Sequence, residues 1–183
     1  MGSTLAHVMV VAGTSRQWGQ LGEEEWQQRA EAFGAVVAEA GGSWLTLQAY
    51  ERGDGGVPED VVDRARRHFV VADGRCAVIV DPMGDGRVRF AEAMRRLPAG
   101  VNVNEKSVAG ALYEPADVEP DLVLIIGPST RLPPSLVWEL AYGELVFLPV
   151  DFEELAAEHV AAAVDDFSTR RRRFGGLDEG EDD

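Results

Sequence analysis

The sequence predicts an α/β fold with a mostly parallel central sheet and helices on both faces. Three observations lead there. Four short runs, at residues 7–11, 44–50, 76–80 and 122–126, are mostly apolar, with several β-branched residues, the pattern of strands buried on both sides. Segments with helical spacing separate those runs, which is the order of βα units. Glycine, proline and aspartate cluster where the runs end.

The elements follow in order. Residues 7–11 form a first strand that ends at Ala-Gly-Thr-Ser. Residues 22–40 carry apolar side chains at Trp26, Ala30, Phe33 and Val37 and stop at Gly41-Gly42, which marks a helix and its end. WLTLQAY at 44–50 is a second strand, followed by a glycine-rich loop. Pro58 suits a first helical turn, and Val61, Val62, Ala65 and Phe69 line one face, so 58–71 reads as a helix. Residues 76–80 are a third strand, 81–86 a turn, 87–97 a helix stopped by Pro98, and 103–112 a short helix. Residues 122–126 make a fourth strand, 135–142 a helix, 145–148 a short strand and 152–173 the last helix.

The chain has 183 residues, 45% hydrophobic and 27% charged. That fits one soluble globular domain at 1–176 with an acidic, disordered tail at 177–183. No apolar run reaches the roughly 18 residues a membrane helix requires. The one cysteine, Cys76, opens an apolar run and reads as a core residue. No disulfide can form within the chain, which fits a cytoplasmic setting. The net charge of −15 argues against nucleic-acid binding. Against that background Arg170, Arg171, Arg172 and Arg173 form the strongest positive cluster, and the contrast points to a localised anion site. His7, His68 and His159 lack ligand spacing, so no metal site is expected.

In a doubly wound sheet, ligands bind at the carboxyl ends of the strands. The first such loop, at 12–18, combines small residues with Arg16. Small residues expose backbone N–H groups to an anion, and a guanidinium grips a phosphate with two hydrogen bonds. An ordinary tight turn has the same appearance, so this loop alone does not decide the function.

Longer motifs add to it. His7-Val8 opens a strand that leads to Gly13, Thr14, Ser15, Arg16 and Trp18; Arg131 follows the fourth strand; AYGEL ends at Glu144; and the arginine cluster runs into Phe174-Gly175. These resemble the cis-prenyltransferases, which make polyprenyl diphosphates such as undecaprenyl diphosphate. The resemblance implies a shortened version of their fold. It also implies that Gly13, Arg16 and Arg131 bind substrate diphosphate, with Glu144 a weak candidate metal ligand.

The departures matter as much. The family's loop aspartate, which helps hold magnesium and the diphosphate leaving group, falls on Ala12, or on Gly13 with a one-residue gap. The first arginine of the fourth-strand loop gives way to Ile125, and a strand–helix unit and a long central helix are missing. PDLVL at 120–124 followed by Gly127-Pro128, and the lost aspartate, resemble the Nogo-B receptor type, the non-catalytic subunits of heteromeric cis-prenyltransferases. Those subunits keep a C-terminal Arg-Xaa-Gly motif that reaches into the partner's active site, and Arg173-Phe174-Gly175 fits it.

The resemblance thus implies an accessory, catalytically deficient subunit. It would hold no cofactor itself, with Mg2+ bound in the catalytic partner. It would pair with that cis-prenyltransferase subunit, or with a second copy when alone, and meet isopentenyl and allylic diphosphates. Contact with a membrane surface would come through the partner. Two other readings remain open at this stage: a self-sufficient prenyl diphosphate transferase with altered chemistry, and a non-enzymatic scaffold of the same fold.

Overall fold

A computed structural model describes residues 5–51, 67–127, 130–141 and 143–174. The order of elements is β1 (His7–Thr14), α1 (Ser15–Gln20), α2 (Glu23–Glu39), β2 (Trp44–Glu51), β3 (Arg67–Val71), β4 (Cys76–Asp81), α3 (Gly86–Arg96), α4 (Glu105–Tyr113), β5 (Leu122–Ile126), β6 (Glu144–Leu148), a 3-10 turn (Phe152–Glu154) and α5 (Ala157–Phe174). The strands form one six-stranded sheet in the order β3-β4-β2-β1-β5-β6. All pairings are parallel except β3 with β4.

The apolar runs occupy the middle of this sheet because both its faces are covered. Side chains alternate across a strand, so Val8, Val10 and Ala12 point to one face and Met9 and Val11 to the other. The first face receives Ala30, Phe33 and Val37 of α2 and Val160, Val164 and Phe167 of α5. The second receives Ala93 of α3 and Val108, Leu112 and Tyr113 of α4. Each fully buried large side chain contributes about 1.5–3 kcal/mol.

Four expectations change. The expected first loop begins late: β1 continues to Thr14 and a short helix starts at Ser15. Of the helix expected at 58–71, residues 58–66 lie outside the described residues, and the last five form strand β3. The turn Ala72-Asp73-Gly74 has positive φ at all three residues. It folds Arg67–Val71 back antiparallel onto β4, and that hairpin pairing outweighs the helical spacing of Phe69 with the residues before it.

Of the helix expected at 135–142, residues 135–141 are a series of turns, with Leu136 N–H donating to Pro133 O at 3.1 Å and Ala141 N–H to Trp138 O at 3.2 Å, and residue 142 lies outside the described residues. A helix starting there would use the Pro134 carbonyl for its first hydrogen bond. That carbonyl instead accepts from Gly86 N–H of α3, at 2.9 Å. The helix expected at 152–173 is broken: a 3-10 turn at Phe152–Glu154 precedes α5. In the break, Ala156 N–H donates to the His159 ring at 3.1 Å.

Candidate functional site

The carboxyl edge of the sheet brings Ala12, Gly13 and Arg16 together, because β1 runs directly into α1. Ala12 is fully buried, and its carbonyl accepts the Trp18 indole N–H at 2.7 Å. Gly13 has φ +56, where a side chain is strained. A Cβ there would lie 2.6 Å from the Phe152 ring. Phe152 is itself fixed: its ring meets Trp18 edge-on with centroids 4.8 Å apart, and the Arg29 guanidinium sits over the ring, 5.0 Å from its centroid.

The start of α1 is closed by its own side chains. Thr14 Oγ1 accepts from Gln17 N–H at 3.1 Å, and Gln17 Oε1 accepts from Thr14 N–H at 2.8 Å. This capping box satisfies two of the donors that an anion would otherwise use. Ser15 Oγ donates to Pro82 O at 2.7 Å and is likewise committed. Arg16 stands exposed on this edge. Arg131 is exposed too, and its carbonyl accepts the Tyr50 hydroxyl at 2.7 Å, which places it near the end of β2.

On the face covered by α3 and α4, reaching from the end of β4 toward His7 at the start of β1, lies a buried ionic cluster. Asp81 ends β4 and Arg89 comes from α3. Tyr113 ends α4, and Glu139 lies in the turns before β6. Arg89 Nη1 donates to Glu139 Oε1, and Arg89 Nε lies 3.3 Å from Asp81 Oδ2. The Tyr113 hydroxyl donates to Glu139 Oε1 at 2.8 Å, and the Arg89 guanidinium sits 5.3 Å from the Tyr113 ring. Burial alone would push the Glu139 carboxyl up, but Arg89 holds it below the usual range. Burial and the Glu139 charge raise the Tyr113 hydroxyl, and Glu139 and Asp81 outweigh burial to hold Arg89 charged. A carboxylate locked to a guanidinium is a poor proton acceptor, so the cluster positions residues rather than moving protons.

Glu139 was legible in principle. It sits between Trp138 and Leu140, and a carboxylate among apolar residues requires a partner.

Glu144 and the arginine cluster lie elsewhere. Glu144 begins β6 and pairs in register with Leu122, which pairs with Val8 near the start of β1. Six residues of strand separate Val8 from Thr14, or about 20 Å at a rise of ~3.3 Å per residue. Glu144 is therefore at the amino edge, remote from Ala12 and Gly13. Its partner there is Arg170 of the same chain, Nη1 to Oε1 at 3.5 Å, and Arg170 Nη2 also meets Asp166 Oδ2 at 2.5 Å. Arg173 and Phe174 belong to the last turn of α5. Their side chains, and Gly175, lie outside the described residues.

Magnesium of the kind the resemblance implies would need carboxylates at the end of β1. Ala12 and Gly13 supply no side-chain donor, and Glu144 is engaged with Arg170 at the far edge, so these residues do not fit the ion. Among the described residues no group of three or more His, Cys, Asp or Glu could hold a metal, and no helix is long and apolar enough to cross a membrane.

This architecture has known counterparts. The profile of the family described as putative undecaprenyl diphosphate synthase matches residues 65–175, more than half of the chain. The chain belongs to that family. It is similar to isoprenyl transferase 2 of Bradyrhizobium diazoefficiens, with 35% identity over 83 residues, covering 45% of this chain and 32% of the relative. It is 34% identical over 107 residues to the isoprenyl transferase of Bifidobacterium longum, covering 58% of this chain and 36% of the relative. The chain thus spans about a third of the length of these curated relatives.

Among solved structures, a probable undecaprenyl diphosphate synthase from Campylobacter jejuni superposes with a TM-score of 0.56 at 17% identity, covering 97% of this chain and 98% of that one. Lavandulyl diphosphate synthase from Lavandula x intermedia, in complex with dimethylallyl diphosphate, superposes at 0.53 with 16% identity, covering 90% and 95%. Both likenesses speak for the fold, a mixed α/β arrangement with a mostly parallel six-stranded sheet.

Proposed function

We propose that this chain is an accessory, catalytically deficient subunit of a heteromeric cis-prenyltransferase. In this reading a catalytic partner supplies the aspartate, Mg2+ and the allylic diphosphate site. This chain contributes Arg173, Phe174 and Gly175 to isopentenyl diphosphate binding in that partner. Arg16 and Arg131 add positive charge at its own carboxyl edge.

The observation that carries the proposal is that Ala12 and Gly13, the positions that the resemblance matches to the family's aspartate, carry no carboxylate. A departing diphosphate requires its charge neutralised in the transition state. Here a buried alanine and a glycine packed under Phe152 stand in that place. A second observation supports action in trans. Arg170 pairs with Glu144 at the amino edge, about 20 Å along the sheet from the loop after β1. The last turn of α5 is therefore badly placed to serve the carboxyl edge of its own chain, as action in trans requires.

The test is incorporation of labelled isopentenyl diphosphate into farnesyl diphosphate with magnesium. The chain is assayed alone and co-expressed with a family member from the same genome that keeps the loop aspartate. Co-purification of the two and activity confined to the pair are expected. Turnover by the chain alone would overturn the proposal.

A further inference from the structure

The family resemblance aligns Glu144 with a metal-binding glutamate, but the structure gives it another task. Glu144 is anchored at the sheet's amino edge: its N–H donates to Asp121 O at 3.1 Å, and Asp121 N–H donates in turn to His7 O at 2.9 Å. Asp121 Oδ2 also accepts from the N–H groups of Ala6, at 2.8 Å, and His7, at 3.1 Å. The carboxylate is thus mounted on a corner of the sheet tied by four hydrogen bonds. From there it meets Arg170 Nη1, while Asp166, one turn earlier on α5, holds Nη2. Arg170 is 52% exposed and Glu144 30%. An ion pair that open contributes little to stability, and its main effect is to hold a direction.

That direction matters because α5 is held along one stripe, by Val160, Val164 and Phe167. Phe167 is its last buried side chain among the described residues, and Arg170 is the next described side chain tied to the domain. Helix ends fray unless tied, and four successive arginines repel one another, which favours fraying further.

We propose that Glu144 is a positioning residue that acts through Arg170. It fixes the last turn of α5 to the amino edge of β6 and so sets where Arg173 is presented to a partner-bound diphosphate. The inference rests on the proposed role of Arg173, but its first readout does not.

Amide hydrogen exchange of the purified chain alone is that readout. Glu144→Gln keeps the side chain's size and removes its charge. Protection of the amides at 168–174 should fall at least several-fold, while amides of β1 and β5 stay unchanged. The reversed pair, Glu144→Arg with Arg170→Glu, made together with Asp166→Asn to remove the like charge one turn away, should restore it, and an unchanged melting temperature certifies folding. Unaltered protection in Glu144→Gln would overturn the proposal.

Kinetics of the pair then separate the two ideas. Glu144→Gln should raise KM for isopentenyl diphosphate by roughly three- to tenfold and leave kcat within twofold. If Arg173→Ala abolishes turnover while Glu144→Gln leaves KM unchanged, positioning through Arg170 is wrong and the trans role of Arg173 stands. If Glu144→Gln loosens the helix end while Arg173→Ala has no effect, the clamp stands and the proposed role of Arg173 falls.

Discussion

Arg89→Ala is the substitution whose effect the structure predicts most sharply. It leaves Asp81, Glu139 and the Tyr113 hydroxyl facing one another without the guanidinium that joins them. Asp81 and Glu139 are 5% and 3% exposed, so water cannot replace the lost partner without opening the core. Breaking a buried pair from one side costs about 3–5 kcal/mol. At ~2–4 °C per kcal/mol for a chain of this size, the melting temperature should fall by about 6–20 °C. Urea titration and calorimetry measure the loss directly.

The pH dependence of that loss has a definite sign. In the variant, burial is no longer opposed by the Arg89 charge and favours the protonated form of the Glu139 carboxyl, so its folded pKa rises above the unfolded one. Stability is then retained at acid pH and lost as pH rises. The deficit relative to wild type should be larger at pH 8 than at pH 5. Removing all three charges together, with Arg89→Met, Asp81→Asn and Glu139→Gln, should recover at least half of the loss. A deficit below about 1 kcal/mol, or one independent of pH, would refute the claim that the cluster is buried and coupled as described.

Three further outcomes are expected. His7 donates from Nδ1 to Val118 O at 2.9 Å and accepts the Thr46 hydroxyl at Nε2 at 2.8 Å, and burial lowers its pKa from 6.5 to about 4. Because the folded pKa is depressed, stability is complete above pH 6.5 and declines toward pH 4, by at most ~1.4 kcal/mol per pH unit. A His7→Asn variant should lack that part of the slope in urea titrations. Restoring a carboxylate with Gly13→Asp should yield no magnesium-dependent turnover by the chain alone. It should also destabilise the fold by about 1–3 kcal/mol, since its Cβ meets Phe152 and its φ is positive. Cys76 is buried and its thiol is pushed up to about 11, so a thiol reagent at pH 8 should label it only after denaturant is added.

The parts of the fold legible in the sequence are those where one physical signal acts alone. β1, β2, β4 and β5 are mostly apolar because both faces of the sheet are covered, and α2 has a clear stripe and a glycine stop. The errors arise where a second constraint competes. Phe69 fits a helical stripe, but the positive-φ turn at Ala72, Asp73 and Gly74 makes a hairpin of it. Residues 135–142 have acceptable helix composition, but Pro134 O is taken by Gly86 and Glu139 by Arg89 and Tyr113. Such contacts are set by tertiary packing and leave no local trace.

The candidate site was legible in part. Ala12, Gly13, Arg16 and Arg131 gather at the carboxyl edge, where a doubly wound sheet places its ligands. Glu144 could not be placed from the sequence. Its motif carries a family role, while the register of β6 puts it at the other end of the sheet beside Arg170. The buried cluster of Asp81, Arg89, Tyr113 and Glu139 went unread because its members are far apart in the chain and share no spacing.

The central claim is that this chain completes a partner's isopentenyl diphosphate site through Arg173. The most direct measurement is the KM for isopentenyl diphosphate of the purified pair, with wild-type chain and with Arg173→Ala. Loss of one charge-assisted diphosphate contact should raise KM or depress turnover by at least tenfold, at unchanged affinity between the subunits. Equal kinetics for the two pairs would contradict the account and leave the chain a partner without a part in substrate binding.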